Sequence, residues 1–319
     1  MTNITAPRFI DADAAREHLE ALHWPEGPIC PHCGSVNAKR LPEQRGRATK
    51  AHPEGAVRKG VVQCNDCRQQ YTVTVGSVFE SSKVPLNKWL LATHLIVSSK
   101  KGISSHQLSR NLGVTYKTAW FMSHRIREAM ISSDNGPMGG GGGMVEVDET
   151  YIGRVPGESR MAIHNKNKVL SLIDRATGRS TSIVFTGTFN AAAIAPILAK
   201  HIAPEARLMT DGAQMYKAVG KGYASHNYVD HARGEYVKRD DATLHTNTIE
   251  GFFGIFKRGM RGVYQHCGSQ HLQRYLREFD FRYTNRSALG VNDDARCDLA
   301  LRGITGKRLT YRRTASLAA

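Results

Sequence analysis

The sequence has no run of 18 or more apolar residues, so nothing in it reads as a membrane-spanning helix, and neither end carries a lipidation motif. Met1 to Pro7 lack the basic start and apolar stretch of a secretory signal, which makes a reducing cytoplasm the expected setting. Cysteine is scarce, six in 319 residues, and in that compartment structural disulfides are not expected. Acidic side chains are also in short supply: 28 Asp and Glu stand against 44 Lys and Arg, a formal charge of +16. That imbalance favours a polyanionic partner, nucleic acid first, over an acidic small molecule. The length allows two or three domains, each with its own core.

Four of the cysteines form two Cys-x-x-Cys knuckles, Cys30-Pro31-His32-Cys33 and Cys64-Asn65-Asp66-Cys67, separated by positions 34 to 63. Each tight turn can bring two thiolates to one ion, and four thiolates close a tetrahedral structural zinc site with no open position. A redox pair or free buried thiols are the alternatives, and the doubled knuckle weighs against both. His32 reads as a turn residue rather than a ligand. The seven Lys and Arg among positions 39 to 59 suggest an extended loop near phosphate. Cys267 and Cys297 read as ordinary thiols.

From Pro85 a helical pattern begins with Trp89, Leu90, Ile96 and Val97; a second helix carries Leu108 and Leu112, and a third runs from about Thr115 to Met130. Residues Ile103 to Trp120 have the layout of a helix-turn-helix. Leu108 and Leu112 face inward, Gly113 permits the turn, and Thr115 caps a helix whose Tyr116, Lys117, His124 and Arg125 are placed to meet DNA. An ordinary helical hairpin has the same pattern, and the neighbouring knuckles and basic charge tip the reading toward DNA. Five consecutive glycines, Gly139 to Gly143, then read as a flexible tether and a domain boundary.

Beyond the glycines the character changes to strands at Val145–Ile152, Val169–Ile173, Thr181–Phe185 and Arg207–Asp211, a further one at His226–Val229, and helices at Ala191–His201 and Thr248–Val263. Strands first, then alternation, predict an α/β fold with a mixed sheet flanked by helices. Strand alternation sets Glu146 and Asp148 on one face and Val145, Val147 and Glu149 on the other. A mid-strand Asp among valines suits a metal ligand, because a buried carboxylate needs a compensating cation, though an edge strand with one wet face would also carry it. Asp211 ends an apolar run, where ligands collect at strand carboxyl ends; it is equally a helix cap. Asp174 fits hairpin turn chemistry. In the last helix Asn247, Glu250, Gly254, Lys257 and Arg261 share a strip opposite Ile249, Phe252, Phe253 and Phe256. Gly254 leaves room between Glu250 and Lys257 for a metal or a DNA backbone. Asn247-x-x-Glu250 also fits a capping box. His226, His231, His266 and His271 are DNA contacts or plain surface.

Taken together, Val145-Glu146-Val147-Asp148-Glu149-Thr150-Tyr151-Ile152-Gly153, Thr210-Asp211-Gly212 and His245 to Phe253 followed by Lys257-Arg258 resemble bacterial DDE-type insertion-sequence transposases of the ISXO-like family. The resemblance implies an amino-terminal zinc ribbon and a ribonuclease H-like catalytic domain. On that basis residues 1–84 are the zinc ribbon DNA-binding region, 85–134 the helix-turn-helix DNA-binding region, 135–143 a glycine-rich linker, 144–290 the catalytic domain and 291–319 a basic C-terminal tail. It also implies that Asp148, Asp211 and Glu250 hold two Mg²⁺ or Mn²⁺ ions, that Lys257 accompanies them, and that Asn247 shares or replaces the role of Glu250. Zn²⁺ would sit on Cys30, Cys33, Cys64 and Cys67. Tyr116, Lys117, Arg125, Arg258 and Arg261 would contact double-stranded DNA, both terminal inverted repeats and target. The implied enzyme is a metal-dependent polynucleotidyl transferase, cytoplasmic and nucleoid-associated, acting without a membrane as a homodimer or larger homo-oligomer. A DNA-binding regulator and a nuclease that cuts without joining are the rival readings.

Overall fold

The computed structural model describes residues 4–50, 53–131, 136–154 and 165–310. The chain divides into two compact units, one of residues 1–98, 104–130 and 293–319 and the other of residues 99–103 and 131–292. No helix among the described residues is long and apolar enough to cross a membrane.

The first unit joins a small sheet to a group of helices. Helices α1 (Pro7–Ile10) and α2 (Ala12–His23) precede the cysteines; periodicity did not single them out, although Asp11 caps α2 by accepting from the Ala14 N–H at 2.7 Å. Strands β1 (Ala38–Arg40), β4 (Val62–Cys64) and β5 (Gln70–Tyr71) form an antiparallel sheet in the order β1-β4-β5. The basic insert between the knuckles is a separate two-stranded ribbon of β2 (Gln44–Arg45) and β3 (Val57–Arg58); its positions 51–52 lie outside the described residues. Helices α3 (Leu86–Ser98), α4 (Ser105–Leu112) and α5 (Tyr116–Ala129) follow where the sequence places them. The same unit is completed by α10 (Asp293–Arg302), from the far end of the chain. Residues 293–302 are therefore not an irregular tail. Cys297, Ala300 and Leu301 are buried, and Arg296, which a periodicity argument counts as polar, is buried too, paired with Asp293 at 2.6 Å and donating to the Val97 carbonyl. Residues 311–319 lie outside the described residues.

The second unit is built on five strands, β6 (Met144–Ile152), β7 (Asn167–Asp174), β8 (Ser180–Phe185), β9 (Arg207–Asp211) and β10 (Ser225–Val229), in the order β10-β9-β6-β7-β8. β6, β7 and β8 are antiparallel neighbours, whereas β9 runs parallel to both β6 and β10. This is the mixed sheet flanked by helices that the ribonuclease H-like reading requires. Alternation sorts its side chains. Val145, Val147, Leu170 and Leu172 pack with α6 (Ala191–His201) and with Tyr216 of α7 (Gln214–Val219), while Ile152, Val169 and Ile173 pack with α8 (Asn247–Gly259) and α9 (Leu272–Thr284) on the other face. Each fully buried phenylalanine of α8, Phe252 and Phe256 among them, contributes about 2–3 kcal/mol of burial.

The glycine run is a folded turn rather than a tether. Gly143 N–H donates to the Gly139 carbonyl, Gly139 N–H donates to the Asp174 carboxylate, and Met138, just before it, is buried in the sheet core. Gly139 adopts φ +74°, and a Cβ there would lie 2.5 Å from Ala206 Cβ and 2.8 Å from Val145 Cγ2. Composition signals flexibility; here it reflects close packing. Of the expected linker 135–143, Asn135 lies outside the described residues.

Glu146 sits in β6 with no exposure at all. Its carboxylate accepts from Arg175 Nε at 2.5 Å and from the Ile249 N–H, in the first turn of α8, at 2.8 Å. Arg175 also donates to the carbonyls of Thr243 and His245, so one buried pair fastens the β7–β8 turn, the chain entering α8 and α8 itself to β6. α8 is thereby capped from a strand, which displaces the capping box: Asn247 N–H donates to His245 Nδ1, not to Glu250.

The outer edge of β8 is closed by side chains of α9. Ser180 N–H donates to Thr284 Oγ1, Ser182 N–H to Asp280, and Val184 N–H to Gln273 Oε1, whose amide donates back to the Ser182 carbonyl. Burial pushes the Asp280 carboxyl up to about 6, against the donors Ser180 and Ser182.

Two outcomes follow. Replacing Arg175 by Met should cost about 3–5 kcal/mol in chemical unfolding, because the fully buried Glu146 carboxylate loses its guanidinium partner; the double variant Glu146→Leu with Arg175→Met should recover part of it, and a double variant no better than the single would contradict the charge-pair account. Asp280 holds its proton more tightly folded than unfolded, so its contribution is complete below pH 3.8 and is lost as pH rises through about 6. The stability of wild type relative to Asp280→Asn should fall by about 3 kcal/mol at most between about pH 4 and 7, and a pH-independent difference would refute it.

Candidate active site and metal centres

The four knuckle cysteines converge. Their sulfurs lie within 4.8 Å of one another, with Cys30 to Cys67 and Cys33 to Cys64 both at 3.6 Å. Zinc–sulfur bonds of about 2.3 Å give a tetrahedral edge of about 3.8 Å, whereas a disulfide needs about 2.05 Å. The donor set therefore fits structural zinc. Both turns end in a left-handed residue, Gly34 at φ +77° and Arg68 at φ +61°, directly after the second cysteine of each knuckle. Backbone N–H groups of Cys67 and Asp66 aimed at Cys64 lower its thiol to about 7. His32 is exposed and outside the cluster, the turn residue expected.

The second cluster lies where β6 and β9 part. Their pairing ends at Glu146 opposite Met209, so two residues further Asp148 and Asp211 would be register partners, and the strands have instead opened between them. Asp211 remains paired with Val229 of β10, at the carboxyl end of β9. Because the chain leaves β6 toward β7 on one side and meets β9 on the other, this opening is the sheet's topological switch point, where α/β sheets bind ligands. With β9 gone, the Glu149 N–H donates to Asp148 Oδ1 at 2.7 Å, which draws that carboxylate to the free edge. Asp211 Oδ1 accepts from the Ala213 N–H at 3.0 Å, a turn bond before α7 rather than its cap.

Glu149 is the residue that alternation turned away. It does leave the opposite face from Asp148, toward α7, where Tyr216 donates to its Oε2 at 2.6 Å. Yet carboxylate oxygens of Asp148, Glu149 and Asp211 all lie within 4.8 Å of one another, because at an unpaired edge the two faces of a strand adjoin. Burial, then Glu149 and Asp211, push the Asp148 carboxyl well above the usual carboxylate range, and burial raises Glu149 as well. Three half-buried carboxylates in one cleft fit a divalent cation with a preference for oxygen ligands, and both Mg²⁺ and Mn²⁺ meet that description.

α8 presents the strip expected of it. Glu250 stands outside the compact cluster: Thr246 Oγ1 donates to its Oε1 at 3.0 Å and His231 Nε2 lies 3.2 Å from the same oxygen. It is nonetheless near enough for its charge to raise Asp148. Asn247 is exposed at the start of the helix. Lys257 is half-buried, 5.8 Å from the Phe253 ring centre, and its ammonium is lowered by burial and by Arg261 while Asp148 opposes the shift. Arg258 and Arg261 are exposed. The space at Gly254 faces the Arg258 guanidinium, 3.4 Å from where a Cβ would stand.

In the first unit, α4 and α5 make the expected helix-turn-helix. Leu108 and Leu112 are buried, Gly113 closes α4 at φ +60°, and Thr115 caps α5 by accepting from the Thr118 N–H. Tyr116, stacked on His106 at 4.3 Å, and Lys117 are exposed. Arg125 is not. It is buried, donates to the Glu80 carbonyl at 2.7 Å and lies over the Trp89 ring at 5.2 Å, and His124 is buried beside it. The α5 surface open to DNA is thus its first turn, because the second half of the helix is core on every side.

Residues 141–284 match the ISXO2-like transposase domain and residues 10–70 the transposase zinc-ribbon domain. A protein of Halobacterium salinarum described as an uncharacterized protein in transposable element ISH50 is 29% identical over 297 residues, covering 86% of this chain and 91% of the relative.

The purified protein should contain about one zinc per chain by elemental analysis, and Cys64→Ser should remove it and speed amide exchange in β1, β4 and β5 while the helices keep their protection. Zinc-free wild type with a folded sheet would discard the centre.

Proposed function

Because residues 141–284 match the ISXO2-like transposase domain and residues 10–70 the transposase zinc-ribbon domain, we propose that the protein binds the ends of an insertion sequence and carries out divalent-metal-dependent strand cleavage and strand transfer in the cleft between β6 and β9. The observation that carries this reading is the pair Asp148 and Asp211, brought face to face where the two strands separate. Asp148, Asp211 and Glu250, or Asn247 beside it, would hold two Mg²⁺ or Mn²⁺ ions. Such ions, when bound, activate the attacking oxygen and stabilise the leaving one.

Lys257, whose charge is felt at Asp148, and Arg261, one turn further along the exposed strip, orient the scissile phosphate. In cleavage a water oxygen bonds to phosphorus and the P–O3′ bond breaks, freeing a 3′-hydroxyl. In transfer that hydroxyl attacks a target phosphodiester, whose own 3′-oxygen leaves. Each step makes one P–O bond and breaks one, so no nucleotide cofactor is consumed. Tyr116 and Lys117 at the start of α5, the zinc ribbon, and Arg258 beside the cleft supply DNA contacts, mostly to phosphate. Two ends must meet before joining, which makes a homodimer the smallest working assembly, in the cytoplasm on nucleoid DNA.

Footprinting on element-end DNA in Ca²⁺, followed by cleavage and joining in Mg²⁺, tests the reading. Asp148→Asn should keep the footprint and lose cleavage and joining by about a hundredfold or more. Undiminished activity in that variant would remove the site assignment. Hydrolysis by wild type without joined product would make the protein a nuclease, and a footprint with no Mg²⁺-dependent cutting would make it a regulator.

A further inference from the structure

We propose that Glu149 is a ligand of the same cation site as Asp148 and Asp211, and that Tyr216 is the positioning residue that holds it there. The inference rests on the carboxylate site just described and adds a residue that the three-acid pattern does not contain.

The geometry is specific. β6 sends Asp148 toward the α8 face and Glu149 toward the α7 face, and both reach the cleft only because β9 has left the β6 edge. A glutamate pointing into the α7 face would otherwise lie against Val145, Val147, Leu170 and Leu172, the apolar side of the sheet. What keeps it at the rim is one hydrogen bond: Tyr216 is fully buried, and its hydroxyl donates to Glu149 Oε2 at 2.6 Å. A hydroxyl held by a packed ring has little freedom, so it fixes the carboxylate as outer partners fix metal ligands. One carboxylate oxygen accepts from the tyrosine, and the carboxylate lies within 4.8 Å of those of Asp148 and Asp211. Glu250, by contrast, has its Oε1 engaged by Thr246 and His231 in this conformation. The short α7 helix begins three residues after Asp211, so the tyrosine and the second acid come from one short stretch of chain.

The test measures cation binding rather than activity, with the zinc centre filled. Free Mn²⁺ is counted by its electron paramagnetic resonance signal as full-length wild type, Glu149→Gln, Tyr216→Phe and Asp148→Asn are titrated. Glu149→Gln should weaken Mn²⁺ binding by about tenfold or more, and Tyr216→Phe, which keeps the ring and loses only the hydroxyl, should weaken it by about tenfold with an unchanged melting temperature. A Tyr216→Phe protein that melts earlier but binds Mn²⁺ like wild type would reduce the tyrosine to packing and overturn its positioning role. Wild-type affinity in Glu149→Gln, with binding lost in Asp148→Asn, would sink the inference alone. Wild-type affinity in Asp148→Asn would instead sink the underlying site.

Discussion

The catalytic-type unit depends on a carboxylate that performs no chemistry. Glu146, without exposure in the middle of the sheet, would be prohibitively costly were it alone, and its cost is offset by Arg175 and by the Ile249 N–H. Those two partners come from the β7–β8 turn and from the first turn of α8, so compensating the charge requires that the hairpin, the helix start and β6 be assembled together. Asp148 lies two residues along the strand from this point, and Glu250 one residue along the helix. Their separation is therefore set by a buried ion pair and a helix cap rather than by flexible side chains. A negative charge at the α8 start also complements the helix dipole.

From that fixed point the chemistry of the cleft follows from a strand that loses its neighbour. As long as β9 accompanies β6, the two faces of the sheet are kept apart. Once β9 turns away after Met209, carboxylates from both faces meet at the bare edge, and burial, then their mutual repulsion, drives Asp148 toward its protonated form. A divalent cation is the natural counter-charge for such a group of oxygens. The same device at a different scale serves the amino-terminal unit, where two left-handed turns aim four sulfurs at one point. In both places the backbone is arranged first, and the ion site is the consequence.

Much of this was legible in the linear order of residues. The knuckles, the capped helices around Gly113, the alternating strands and the phenylalanine side of α8 are local patterns, and each appears where its period places it. Asp148 and Asp211 could be proposed for the same reason: a carboxylate inside an apolar strand is visible without knowing its neighbours. Reading failed where composition was taken for mobility or polarity for exposure. The first glycine after Met138 packs closely, because Ala206 and Val145 leave no room for a Cβ at Gly139. Arg125 and Arg296 look like surface residues and are buried, each donating to a backbone carbonyl distant in sequence.

The sequence by itself carried the resemblance to a transposase family, the two groups of candidate ion ligands and the periodicity of nearly every element, since these rest on residue type and on spacings within a few turns of backbone. Only the tertiary structure decided which carboxylates share the cleft. Glu149 enters it because β9 departs and Tyr216 is waiting on α7, while Glu250 is drawn toward His231, and both outcomes hang on partners well beyond the reach of local periodicity. Alternation along a strand states which face a side chain leaves from, and the loss of a neighbouring strand determines whether the two faces remain separate.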